Sequence, residues 1–132
     1  MSALQHPRMT EQEYLAFDQD QPLRHEFYNG EVVAKAGASE AHALVTMNLG
    51  RAIGNRLAGS GCRVYSADLR VQVAETGAYV YPDLTVVCGP STLLPTTPVT
   101  LLNPRVVLSI EERRVEVGEV WMGLEEIAEG PV

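Results

Sequence analysis

The sequence predicts an α/β fold: a mixed central β-sheet flanked by helices, with an N-terminal β-hairpin. Three patterns carry that prediction. Apolar residues recur at three- and four-residue spacing from Ala41 to Leu57. The period changes to two from Arg63 to Val73, and a run from Leu84 to Cys88 is apolar apart from Thr85.

Each element has a local reason. Thr10-Glu11-Gln12-Glu13 is a capping box, in which the Thr10 hydroxyl accepts from the Glu13 backbone N–H and the Glu13 carboxylate reaches back. Tyr14, Leu15 and Phe17 form the apolar face of the short helix that follows, which ends before Pro22. His25-Glu26-Phe27-Tyr28 and Glu31-Val32-Val33-Ala34 flank Asn29-Gly30. That pair predicts a hairpin, because both turn positions need φ > 0. Ser39 caps a second helix whose Ala41, Leu44, Val45, Leu49, Ala52, Ile53 and Leu57 give one buried stripe. Gly59 suits the position just past its end.

From Arg63 to Val73, Arg63, Tyr65, Ala67, Leu69, Val71 and Val73 share one face of a strand. Val64, Ser66, Asp68, Arg70 and Gln72 share the other. Gly77 turns the chain into a second strand, Tyr79 to Cys88, buried on both faces. Pro90, Pro95 and Pro98 make 89–100 a loop. Val106 to Ile110 reads as a third central strand and Arg113 to Val117 as a further extended element. After Gly118 the chain is Glu-rich, with Trp121, Met122, Leu124 and Ile127 at roughly helical spacing. Helix 40–58 is expected to pack on strands near 62–73, 79–88 and 105–110, with hairpin 25–36 beside them.

At 132 residues, 45% hydrophobic and 20% charged, the chain reads as one soluble globular domain spanning 1–132. No apolar run approaches the ~20 residues of a membrane span, and MSALQHPRMTEQ lacks a signal core. Cys62 and Cys88 make no framework; buried small hydrophobes in a reduced, cytoplasmic protein is the expectation. The net charge of −7 is uneven, with residues 106–132 carrying seven Glu against two Arg. An acidic balance opposes nonspecific phosphate binding and lowers the expectation of DNA as a partner, without excluding an acidic metal site that acts on it.

Asp83, in Tyr81-Pro82-Asp83-Leu84-Thr85-Val86-Val87, is the informative residue, since a carboxylate leading into an apolar strand is costly to bury unless paired or bound to a cation. A turn centred between Glu75 and Thr76 sets Asp68 opposite Asp83, where the two share a face and clamp Mg²⁺ or Mn²⁺. A slip of one residue puts them on opposite faces. The competing account makes Asp83 an ordinary residue after proline and Asp68 a solvated one beside Arg70. His6, His25 and His42 have no metal-ligand spacing. His42, in a first helical turn, reads as a structural contact more readily than as a ligand or base.

Several further segments bear on the class of protein: Glu13-Tyr14-Leu15, Arg24-His25-Glu26, Asn29-Gly30-Glu31-Val32-Val33, Gly37-Ala38-Ser39, His42, Asn48-Leu49, Ser66-Ala67-Asp68-Leu69-Arg70-Val71 and Tyr81 to Val87. In this order and spacing the chain, over about residues 10–108, resembles the Uma-two family of restriction endonuclease-like proteins. The resemblance implies the PD-(D/E)XK nuclease fold. There a strand Asp and a Glu from the next core strand bind a divalent metal, and a lysine assists the attacking water in phosphodiester hydrolysis. By this resemblance Asp83 matches the metal-binding aspartate and Asp68 the acidic position of the preceding strand. Glu26 and Glu31 match recurrent hairpin acids without an assigned role; edge-strand charges that block aggregation are the plainer account.

One departure matters. The family's strand resembling V-V-E-V-L-S begins here at Asn103-Pro104-Arg105-Val106-Val107-Leu108, then runs directly into Ser109-Ile110-Glu111-Glu112-Arg113-Arg114-Val115-Glu116-Val117, which resembles a later strand. A segment of roughly 40 residues is expected to be missing, on typical domain length, and with it the family Glu and Lys. Glu111 is the nearest substitute, and Lys35 is the sole lysine, placed wrongly for the role. Two readings follow. One is a Mg- or Mn-dependent endonuclease acting on DNA through Asp83, helped by Asp68 and by Glu26 or Glu31, with an incomplete and impaired site. The other is a non-catalytic binding or scaffold remnant, dimeric because the lost segment exposes apolar sheet. A third, a shortened gene product without selected function, stands behind them.

Overall fold

The structure, a computed structural model, describes residues 7–111 and 114–117. Helix α1 spans Glu11–Gln19, followed by strands β1 His25–Tyr28 and β2 Glu31–Ala34, helix α2 Glu40–Leu57, then β3 Cys62–Tyr65 and β4 Arg70–Val73. The remaining strands are β5 Ala78–Val80, β6 Leu84–Cys88, β7 Leu93–Leu94, β8 Thr100–Leu101, β9 Val106–Glu111 and β10 Arg114–Val117. The α/β class is as expected. The strands form two sheets: a six-stranded one ordered β2-β1-β5-β4-β8-β7 and a four-stranded one ordered β10-β9-β6-β3.

The local signals hold. Thr10 and Glu13 close the capping box, and Asn29 and Gly30 adopt φ of 49° and 91° at the hairpin turn. Ser39 Oγ caps α2 by accepting from the His42 N–H at 3.1 Å. The four-stranded sheet is covered on one side by α2. Leu57 packs with Leu84, Val86, Val106, Leu108 and Ile110, and Leu49 and Ile53 sit partly buried against them. The opposite face presents Val87 and Val107 to Val71 and Leu101 of the six-stranded sheet. Leu84, Val86 and Val87 thus bury both faces of β6, as the apolar run predicts. On the far side of the six-stranded sheet, Tyr14 of α1 packs with Phe27, Val32 and Tyr79, its ring stacked on Phe27 at 5.0 Å.

Four expectations are corrected. The segments 63–73 and 79–88 are not single strands: a turn at 66–69, closed by the Leu69 N–H on the Ser66 carbonyl, and the crossing at 81–83 each move the chain from one sheet to the other. Alternation persists through that turn, so period two does not reveal it. The loop 89–100 contains the two-residue strand β7 and the start of β8, and β8 pairs parallel with β4 at Arg70↔Thr100 and Val71↔Leu101. The buried stripe of α2 covers only its second half, because the sheet beneath it is narrow; Leu44 is 60% exposed and Met47 72%. Finally, Cys62 and Cys88 are directly opposed on β3 and β6 and form a disulfide. Strand register brings together two cysteines 26 residues apart that no sequence motif relates. The compartment argument from reduced cysteines therefore lapses. Among the described residues no helix is long and apolar enough to cross a membrane. The helical spacing at 121–127 lies outside the described residues.

Candidate functional site

The chain crosses between the sheets at Tyr81-Pro82-Asp83, and this crossing forms the floor of a cleft of about 540 Å³. Its walls come from three elements: Arg24 and Glu26 from the hairpin and the turn before it, Lys35 and His42 from the end of β2 and the first turn of α2, and Ser109 from β9. Asp83 is buried. Its Oδ2 accepts from the Ile110 backbone N–H at 2.7 Å, and its Oδ1 lies 3.0 Å from His42 Nε2. An ionised carboxylate only accepts, so this bond requires the imidazole proton on Nε2. Burial is tolerated because both oxygens are satisfied, one by backbone and one by a side chain 41 residues away in sequence.

The β4–β5 register is the one the turn at Glu75–Thr76 predicts, with Val71↔Val80 and Val73↔Ala78. It does not extend to Asp68, which lies in the turn before β4. Beyond that turn the β3–β6 ladder runs Tyr65↔Thr85, one residue out of step. Asp68 and Asp83 share the cleft without opposing one another. Asp68 is 83% exposed, and its ion partner is Arg24 at 3.5 Å, on the surface. It is not beside Arg70, which is buried against Asp18. The residue across from Asp83 is instead Ser109, by continuation of the Leu84↔Leu108 pairing.

Glu26 lies in the cleft wall with its oxygens already held. Oε2 accepts from the Tyr81 N–H at 2.7 Å and sits 3.8 Å from Lys35 Nζ, while Oε1 accepts from the Tyr28 hydroxyl at 2.7 Å. Glu31 is not in the cleft. It lies on the sheet edge in an exposed pair with Arg8 at 3.8 Å, the position that suits an anti-aggregation charge. Lys35, set aside on sequence, is a cleft residue, its ammonium 2.8 Å from the Tyr81 carbonyl. His42, Lys35 and Ser109 are the residues sequence reasoning undervalued. The capped helix start at Ser39 was the one signal that fixed where His42 would sit.

A hard divalent cation asks for several carboxylate and water oxygens. Asp83 offers one carboxylate already bonded twice, and its neighbour across the ladder is a hydroxyl. No group of three His, Cys, Asp or Glu able to hold an ion occurs among the described residues. This donor set does not fit a complete metal centre.

Asp83 stands where the chain enters β6, an inner strand of the antiparallel four-stranded sheet. The fold is similar to the crystal structure of a putative nuclease belonging to DUF820 from Anabaena variabilis, with TM-score 0.53 and 17% identity over 61% of this chain and 43% of that one. The chain belongs to the Uma2 family, described as "Putative restriction endonuclease", whose model matches residues 11–111. It is 32% identical over 84 residues to the uncharacterized protein slr1290 of Synechocystis sp., covering 64% of this chain and 44% of that protein. It is 28% identical over 102 residues to the uncharacterized protein sll1609 of the same organism, covering 77% and 58%. The chain thus spans about half the length of these relatives.

Proposed function

We propose that this chain is an endonuclease-like protein that engages the phosphodiester backbone of DNA at the Asp83 cleft, with hydrolysis impaired. One observation carries the reading: Asp83 is buried at the cleft floor, and the strand position across from it holds Ser109 in place of a second carboxylate. Arg24, Lys35 and His42 supply the cationic or donor groups a backbone phosphate needs. Asp83 orients the His42 ring, and Ile110 N–H holds Asp83. Asp68 and Glu26, engaged by Arg24 and Lys35, moderate those cations. Mg or Mn would be held weakly at Asp83, and no hydrolytic step is assigned to it. The antiparallel pairing of β9 with β10, with Glu111 and Arg114 opposite in register, supports the reading of a domain shortened after about residue 108.

Calorimetric titration of Mn²⁺ into the full chain, Asp83→Asn and Ser109→Glu tests this. Weak saturable binding is expected in the parent, none in Asp83→Asn, and tighter binding with detectable nicking of DNA in Ser109→Glu. No heat at millimolar Mn²⁺ in any of the three overturns the metal site at Asp83. The second reading, a non-catalytic dimer, is favoured by the exposed Leu44, Val45 and Met47 on α2. Sedimentation of the full chain with and without Met47→Glu separates it: a dimer that the substitution dissociates supports it, and a monomer throughout dismisses it.

A further inference from the structure

The Asp83 cleft does not end at Glu26, Lys35 and Ser109. These three residues also line a second cavity of about 500 Å³ on its far side. The walls of that cavity are apolar, made by Val73, Ala78, Val80, Pro82 and Val107, with the ring of Tyr28 among them. Asn29 and Thr76 add polar groups to its lining. From the structure we infer that this cavity receives one unstacked nucleobase of a DNA strand whose backbone lies in the Asp83 cleft, so that the protein selects single strands and frayed ends over intact duplex. The inference rests on the phosphodiester reading of that cleft and adds the substrate form to it.

Three features support a base as the occupant. The volume lies in the range of small-ligand sites, roughly 300–1,000 Å³. Its two charged residues, Glu26 and Lys35, are of opposite sign and 3.8 Å apart, so the cavity carries no net positive charge of its own to favour a phosphate over a neutral ring. A flat, neutral ring with polar edges matches apolar walls beside an aromatic face and a few polar lining groups. Tyr28 is 43% exposed, and its hydroxyl is anchored on Glu26, so its ring is presented in a fixed orientation. A base within a duplex is stacked and paired and enters such a cavity only when extruded, whereas a single strand presents it at little cost.

The test is fluorescence anisotropy at low salt with three labelled probes: a single-stranded oligodeoxynucleotide, the same backbone with its bases removed, and the same sequence as a blunt duplex. The proteins are the full chain, Tyr28→Ala, Thr76→Trp (which fills the cavity from an exposed turn) and Asp83→Asn. The single strand is expected to bind roughly tenfold tighter than either other probe, in line with base–aromatic stacking. Tyr28→Ala and Thr76→Trp each remove that preference without changing affinity for the base-free strand, and Asp83→Asn keeps it. Equal binding of all three probes, or a preference that survives both cavity variants, overturns the base site and leaves the phosphodiester reading standing. No binding of any probe overturns both.

Discussion

Asp18→Asn removes one charge from a buried pair, and its cost can be worked from the contacts. Arg70 is completely buried. Its guanidinium donates to Asp18 Oδ2 at 2.8 Å, Thr100 Oγ1 at 2.9 Å, Thr96 Oγ1 at 3.1 Å and the Pro98 carbonyl at 2.8 Å. Asp18 also accepts from the His25 N–H at 2.8 Å and the Tyr81 hydroxyl at 2.6 Å. Asparagine keeps one acceptor and turns an amide against groups that already donate, leaving Arg70 charged and unneutralised. Breaking one side of such a pair costs about 3–5 kcal/mol, a large part of a total near 5–15 kcal/mol. With a urea slope of about 2 kcal/mol/M, the unfolding midpoint followed by circular dichroism falls by roughly 2 M. Arg70→Met alone strands Asp18 and costs a similar amount. Asp18→Leu with Arg70→Met removes both charges and is expected to cost far less than the two single changes together. A loss below about 1 kcal/mol in Asp18→Asn, or strict additivity in the double variant, would refute the reasoning.

Three other measurements follow from the same contacts. Burial, the largest cause in each case, raises the phenol pKa of Tyr14, Tyr28, Tyr79 and Tyr81 above the ordinary value near 10. A group whose folded pKa is raised contributes stability that is complete below its unfolded value and is lost as pH rises through the folded one, so the protein weakens above about pH 10. Phenolate absorbance should show Tyr65 ionising early, because the Arg63 hydrogen bond lowers its pKa, and the buried Tyr14, Tyr79 and Tyr81 only with unfolding; those three titrating in the native state would contradict this. Thr85 is fully buried and its hydroxyl has no partner among the described residues, so Thr85→Val should raise stability by about 1 kcal/mol in a thermal melt, and a lower midpoint would count against it. Reducing the Cys62–Cys88 bond frees a 26-residue loop in the unfolded chain. It should cost about 3.5 kcal/mol in the chain-entropy picture, read as a lower urea midpoint in reductant; an unchanged midpoint would deny the staple its role.

What was legible in the sequence was what neighbours along the chain decide. Asn29-Gly30 fixes a turn, Thr10 and Ser39 fix helix starts, and Gly77 with its flanks fixes the β4–β5 register. The site required more. Placing Asp68 opposite Asp83 assumed that alternation from Arg63 to Val73 meant one unbroken strand, and a turn through Ser66 preserves alternation while abandoning the ladder. The burial of Arg70 was not legible, because its partners, Asp18 and Thr100, lie 52 and 30 residues away. The His42–Asp83 contact and the reach of Lys35 to Tyr81 span 41 and 46 residues. Residue types and periods do not report separations of that length. The Asp83 position itself was legible, because an ionisable group at the head of an apolar strand stands out against its neighbours.

The chain visits its two sheets alternately. The hairpin β1–β2 belongs to the six-stranded sheet, β3 to the other, β4 and β5 to the first again, β6 to the second, β7 and β8 to the first, and β9 and β10 to the second. Neither sheet can therefore be completed while the other is unmade, and four of the eight strand pairings, β1–β5, β3–β6, β4–β8 and β6–β9, join strands that are not neighbours in sequence. The fold is expected to assemble slowly, at the pace of high-contact-order topologies. Its backbone amides in β4, β5, β6 and β9 should then exchange with solvent deuterium as one set, through a single opening that releases both sheets together.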